Sequence, residues 1–168
     1  INLRYSKQYV VPNIISLIRM ENDKIPFIIP GGSTLPFFNS ENNTFQLGDL
    51  KYFVLNENLL RKTGDLRTNI ISCALNYLNS AYLWGGRTAL GIDCSGVTQI
   101  VYKINDIPIP RDASQQITTG KIVNFINDAK SGDLAFFDNE EGIITHVGII
   151  IEKDKIIHAS GKVRVDVL

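Results

Sequence analysis

The hydrophobic period of this chain changes twice, and no single-class fold accommodates both changes. Thr68 to Ser80 places Ile71, Ala74, Leu75 and Leu78 at i, i+3, i+4 and i+7, which predicts a helix with one buried stripe. A second helical pattern follows Asp93, with Val97, Ile100, Val101 and Ile104 at the same spacing. From Asp133 onward the period is that of strands: Leu134 to Phe137, Ile143 to Ile151, Lys155 to Ala159 and Val163 to Val167, joined by short polar turns such as Glu152-Lys153-Asp154. Helices followed by antiparallel strands is the α+β pattern. Ahead of it, from Ile14 to about Asn58, short apolar stretches alternate with Pro, Gly and Asn turns, which predicts a small all-β barrel or sandwich. The change of character falls at Arg61-Lys62-Thr63-Gly64-Asp65.

A length of 168 residues accommodates such a pair, one modest domain with a small companion. Seventeen Lys+Arg balance seventeen Asp+Glu, so no concentrated positive field exists for nucleic acid or an anionic membrane surface. The apolar runs, such as Ile149 to Ile151, stay far below the roughly 18 residues of a membrane span. The chain begins Ile-Asn-Leu without an initiator Met or a basic-then-apolar leader, and it stops within an alternating strand pattern. Both observations predict a chain clipped at its two ends.

The chain has two cysteines, too few for a disulfide framework or a four-cysteine zinc site. Cys73 lies inside the first amphipathic pattern and reads as a small buried hydrophobe. Cys94 follows Gly85-Gly86 and Gly91 and opens the second helix within Asp93-Cys94-Ser95-Gly96. Free N–H groups and the positive end of a helix would stabilise a thiolate there, and Asp93 or Ser95 could cap the same turn. A nucleophilic thiol needs a base, and the chain has two histidines, His146 and His158, on consecutive predicted strands. Nucleophile, base and base-orienter is the arrangement they suggest. A zinc site is the competing use of Cys, His and His, but the spacings match no common ligand pattern.

Strand register is the difficulty in this reading. If Lys153-Asp154 form a two-residue turn, Glu152 pairs with Lys155 and His158 falls opposite Ile149, which puts the two imidazoles on different faces. A bulge or an odd-length loop is required for them to meet.

Six blocks in order resemble the NlpC/p60 cell-wall cysteine peptidases: Tyr82-Leu83-Trp84-Gly85-Gly86-Arg87, Gly91-Ile92-Asp93-Cys94-Ser95-Gly96, Pro110-Arg111-Asp112-Ala113-Ser114-Gln115-Gln116, Ser131-Gly132-Asp133-Leu134-Ala135-Phe136-Phe137, His146-Val147-Gly148-Ile149 and Ile157-His158-Ala159-Ser160. Within that family the chain is most similar to the γ-D-glutamyl-L-diamino acid endopeptidases that carry bacterial SH3-like modules. The resemblance implies a papain-like α+β domain over 66–168, lacking its C-terminal end, preceded by an SH3-like barrel over 1–62. It implies that Cys94 attacks, His146 is the base, His158 orients His146, and the Tyr82 hydroxyl reaches the cysteine and helps form the oxyanion site. Asp93, Ser95 and Asp112 would line the peptide-stem pocket, with Asp112 facing the free amine of an N-terminal L-Ala. Arg111 matches a family position where a structural ion pair is an equal reading, and Trp84 would wall the groove or pack in the core.

The substrate so implied is a peptidoglycan stem peptide, and the protein a monomer without metal or cofactor, belonging to the bacterial envelope or secreted. Two other readings remain open at this point. One is a papain-like amidase or acyltransferase acting on another amide or ester. The other is a wall-binding protein whose catalytic apparatus is idle.

Overall fold

The computed structural model describes residues 9–56 and 64–168, which belong to two units, 1–61 and 62–168. The expected junction at Arg61-Lys62-Thr63 lies outside the described residues.

The first unit is all-β among its described residues. It contains β1 (Tyr9–Val10), β2 (Ile15–Met20), β3 (Phe27–Pro30), β4 (Thr34–Leu35), β5 (Thr44–Leu47) and β6 (Leu50–Val54). Four of these form an antiparallel sheet in the order β3-β2-β6-β5, and β1 pairs with β4. The alternation in β2, where Ser16 and Ile18 are buried while Ile15 and Leu17 are exposed, selects the inner face. Val11, Ile18, Leu35, Phe45 and Val54 make the core on that side.

In the second unit, Asp65 starts α1 (Leu66–Leu75) by accepting the Arg67 and Thr68 amides. The helix ends at Leu75, short of the predicted Ser80, and its buried face is not the predicted stripe. Ile70, Cys73, Ala74 and Tyr77 face inward, while Leu75 and Leu78 are exposed. Two stripes of helical spacing, offset by one residue, exist in this segment. Burial follows the one that carries the large Tyr77 ring, where α1 packs on the next helix, residues 94–104. Cys73 is buried on that face, as its surroundings in the sequence predict.

A small ribbon, β7 (Arg87–Thr88) with β8 (Gly91–Ile92), leads into α2 (Cys94–Ile104), where Val97, Ile100, Val101 and Ile104 are all buried as predicted. The one-turn helix α3 (Ala113–Gln116) follows. The remaining strands, β9 (Leu134–Asp138), β10 (Ile144–Glu152), β11 (Lys155–Ser160) and β12 (Lys162–Val167), form an antiparallel sheet in the order β12-β11-β10-β9. Helix α2 packs against β10 and β11. Ser131-Gly132-Asp133 serves this scaffold: Arg67 of α1 donates to the Ser131 carbonyl at 2.6 Å and to Asp133 at 2.8 Å, and the Tyr102 hydroxyl donates to the Gly132 carbonyl.

Candidate active site

Cys94 is the first residue of α2, and the turn that presents it is held by one carboxylate. Asp93 caps the helix by accepting the Gly96 amide at 2.7 Å, accepts the Gly85 amide at 2.8 Å, and takes both arms of Arg111 at 3.1 and 2.6 Å. Burial alone would raise the Asp93 pKa, but Arg111 and the Gly96 and Gly85 amides outweigh it and hold the carboxyl below its ordinary range. Arg111 also donates to the Ser95 hydroxyl at 2.8 Å. Gln116, fully buried, bonds the Ser95 and Pro110 carbonyls and accepts from Thr98. The glycine in Asp93-Cys94-Ser95-Gly96 has a steric reason: a Cβ at Gly96 would overlap the Gly86 carbonyl oxygen, so the two loops could not close on one another.

The Cys94 side chain packs with Ala113 and Val147, beside the Val147 amide. Burial pushes the thiol pKa up; the Val147 and Ser95 amides only partly offset it, and the Asp93 charge adds to it. This reverses the expectation that the helix start lowers the thiol pKa. The capping carboxylate occupies the positive end of the helix, and removing a thiolate from water costs more than the remaining amides return.

The sheet supplies the histidines. Glu152 does pair with Lys155 as predicted, but the register shifts between Ile150 and Glu152, where Ile151 is the extra residue. Ile150 pairs with Ile156 and Ile149 with Ile157, so His158 falls opposite Gly148, two positions from His146 and on its face. A second shift, between Ile144 and His146, lies in the pairing of β10 with β9. His146 Nε2 and His158 Nδ1 are 2.7 Å apart with the rings edge-on. A Cβ at Gly148 would come within 3.1 Å of the His158 Cβ, so this glycine leaves room for the pair. Burial and the neighbouring His158 push the His146 pKa down, which keeps its imidazole neutral near pH 7.

One member of this network went unnoticed in the sequence. Asp166 of β12 accepts from His158 Nε2 at 3.0 Å and is also held by Arg164, whose Nε lies 2.9 Å from the same oxygen. Its signal was present: if Ser160 and Lys162 pair across a turn at Gly161, His158 faces Arg164 and Asp166 stands diagonal to it.

Tyr82 lies close enough to the thiol that its pKa is raised, first by burial and then by Cys94 and Asp93. Trp84 is 84% exposed, which removes the core-packing alternative. Asp112 precedes α3 without capping it, and it is exposed beside Arg111. Among the described residues no cluster of three or more His, Cys, Asp or Glu has metal-site geometry. An apolar groove of about 770 Å³, with Ile107, Ile122, Phe125 and Phe136 in its walls, does not include Cys94, His146 or His158.

A helix-borne thiol packed against a sheet that carries paired imidazoles is the papain-like mixed α/β class. Residues 79–168 match the NlpC/P60 family, and the chain belongs to it. It is 35% identical over 137 residues to the gamma-D-glutamyl-L-lysine dipeptidyl-peptidase of Bacillus subtilis (strain 168), covering 76% of this chain and 45% of that protein. It is 39% identical over 90 residues to the probable endopeptidase p60 of Listeria monocytogenes, covering 54% of this chain and 18% of the other. The chain thus spans about half or less of these relatives. Among solved structures, an NlpC/P60 family protein from Bacillus cereus superposes with a TM-score of 0.80 over 96% of this chain and 58% of its own, at 23% identity, a likeness of fold. The NlpC/p60 domain of the peptidoglycan hydrolase SagA superposes with a TM-score of 0.54 at 32% identity, over 60% of this chain and 88% of its own.

Proposed function

We propose that this chain is a thiol peptidase that hydrolyses the bond from the γ-carboxyl of D-Glu to the L-diamino acid in peptidoglycan stem peptides. The observation that carries the reading is the buried Cys94 packed beside Val147, the neighbour of His146, whose ring is held by His158 at 2.7 Å. The His146–His158 contact uses Nε2 of His146, so Nδ1 is the nitrogen left to exchange a proton with the thiol.

The reaction then runs in two balanced halves. The Cys94 Sγ–H proton passes to His146 as sulfur bonds to the side-chain carbonyl carbon of D-Glu. The C–N bond breaks as His146 returns that proton to the departing amine. A water molecule gives a proton to His146 and its oxygen to the thioester carbon, and the carboxylic acid leaves as the thiol re-forms. Tyr82 is assigned to the oxyanion side of this step, on the strength of its electrostatic coupling to Cys94. Arg111 forms the structural ion pair that was the alternative reading for it, and with Asp93 it is read as holding the Cys94 turn and the buried Ser95 hydroxyl behind the stem-peptide site; the exposed Trp84 is read as part of its rim.

Asp112 is read as the acceptor for a free N-terminal L-Ala amine, supported by its exposure and the absence of a side-chain bond to the α3 amides. Residues 1–62 are read as a bacterial SH3-like module, supported by an all-β unit with its own core. We place the protein in the bacterial envelope or its surroundings, acting as a monomer.

The test is digestion of L-Ala-γ-D-Glu-L-diaminopimelate and its L-Lys analogue, read by mass spectrometry. Release of L-Ala-D-Glu is expected, and acetylation of the L-Ala amine should slow it at least about tenfold, the equivalent of ~1.4 kcal/mol. Equal rates would make the chain a general wall hydrolase. Absence of cleavage on both peptides would leave an amidase of other substrates or an idle wall-binding protein.

A further inference from the structure

The hydrogen-bond chain does not stop at the second histidine, and its proton count has one solution. An ionised carboxylate only accepts, so the contact between Asp166 and His158 Nε2 requires the proton on that nitrogen. A neutral His158 then presents a lone pair at Nδ1, and His146 Nε2 must donate across the 2.7 Å contact. His146 is left with its lone pair at Nδ1. Each assignment is forced by the one before it, beginning from the carboxylate. The donor pair His158 and Arg164 holds the Asp166 pKa below its ordinary value, which keeps it ionised near pH 7.

We propose that Asp166 is a positioning residue that sets the tautomer of both imidazoles, so that His146 presents its basic nitrogen to the thiol. Three features of the sheet make this a built arrangement. His146, His158 and Asp166 stand diagonally across β10, β11 and β12 on one face. The extra residue Ile151 creates that alignment. Arg164, directly across from His158, donates to the same carboxylate oxygen, Oδ2, through Nε and Nη2, the latter at 2.7 Å. Without the carboxylate, His158 is free to carry its proton at Nδ1. His146 Nε2 must then accept, its proton moves to Nδ1, and that ring cannot take the thiol proton.

The inference rests on the thiol-peptidase reading for its consequence, but its first step is tested without substrate. Because the chain contains two histidines, long-range 1H–15N spectra of the 15N-histidine-labelled protein, recorded at about pH 8, above the ordinary imidazole value of about 6.5, report four ring nitrogens. The wild type should show Nε2 protonated and Nδ1 unprotonated in both rings. Asp166→Ala should mix these states and lower kcat about tenfold with KM unchanged. Asp166→Asn, whose amide oxygen can still accept from Nε2–H, should restore both. Asp166 and Arg164 are partly exposed, at 37% and 46% of their side chains, so the substitutions strand no buried charge.

Unchanged ring nitrogens in D166A would overturn the proposal, whatever happens to kcat. So would mixed tautomers with wild-type kcat, or an Asn variant that restores neither property. A wild type that cleaves no stem peptide yet shows the expected nitrogens would defeat the peptidase reading and leave the tautomer assignment standing.

Discussion

The helix side and the sheet side of the site are stabilised in contrasting ways. Around Cys94, neighbours in sequence do most of the positioning: Asp93 caps the turn it precedes and Gly96 lets that turn approach Gly86, while only the two-armed ion pair with Arg111 comes from a separate loop. Around His146 nothing local suffices. Its contact with His158 crosses two strands and depends on where one extra residue, Ile151, falls in the ladder. A short motif can therefore place a thiol at a helix start, whereas a pair of imidazoles needs the register of a whole sheet.

The largest effect should separate the proposed nucleophile, Cys94, from the other cysteine. Cys94 and Cys73 are equally hidden, at 8% and 9% exposure, so burial does not distinguish them. Cys94→Ala should abolish turnover with the thermal transition unchanged, while Cys73→Ala keeps activity. Iodoacetamide labelling of Cys94 should be slow at neutral pH and rise steeply above the ordinary thiol range, because the thiolate fraction grows with pH and burial moves its titration upward. Faster labelling of Cys73, read by peptide mapping, would break the comparison.

On the sheet side, His146→Ala should remove nearly all of kcat, whereas His158→Asn can keep an orienting hydrogen bond and should retain a measurable fraction. Equal loss in both would mean the roles of the two imidazoles are misassigned. The pH profile carries the same logic. Since the His146 pKa is lowered, its neutral form persists to lower pH, and the acid limb of kcat/KM should lie below the ordinary histidine value of about 6.5. A limb above that value would contradict a buried, neutral base.

Asp93→Ala tests how much the helix side depends on its latch. Removing one partner of a largely buried pair strands Arg111, and the expected cost is about 3 kcal/mol in denaturant unfolding. The wild type should also lose stability as pH falls: the folded pKa of Asp93 lies below the unfolded one, so its linked contribution is complete above the unfolded value and disappears as pH drops through the folded value. Asp93→Asn should show a smaller cost and little of that acid dependence.

The smallest change offers the sharpest view of the sheet side. Gly148→Ala puts a methyl group against the His158 Cβ, the Ile157 carbonyl and the Ile156 side chain, at 3.1 to 3.3 Å. A displacement of His158 by tenths of an ångström should lower kcat about threefold with KM little changed. Unaltered kcat would show that the His146–His158 contact tolerates slack.

Sequence periodicity alone located the four strands of the β12-β11-β10-β9 sheet and the buried face of α2, because each is a local repeat of side chains against one interface. It located Cys94 at a helix start and separated it from Cys73, because capping and glycine chemistry act within a few residues. Tertiary structure decided the rest. Which stripe of α1 is buried depended on the α2 surface it meets, since the sequence offers two stripes of equal spacing. The Cys94 pKa depended on burial and on Asp93 already occupying the helix end. The meeting of His146 with His158, and of His158 with Asp166, depended on a bulge at Ile151 and a turn at Gly161. A bulge has no period of its own: it is a one-residue mismatch between two strands, and it exists only where the partner strand and the packing on both faces make that register the lowest in energy.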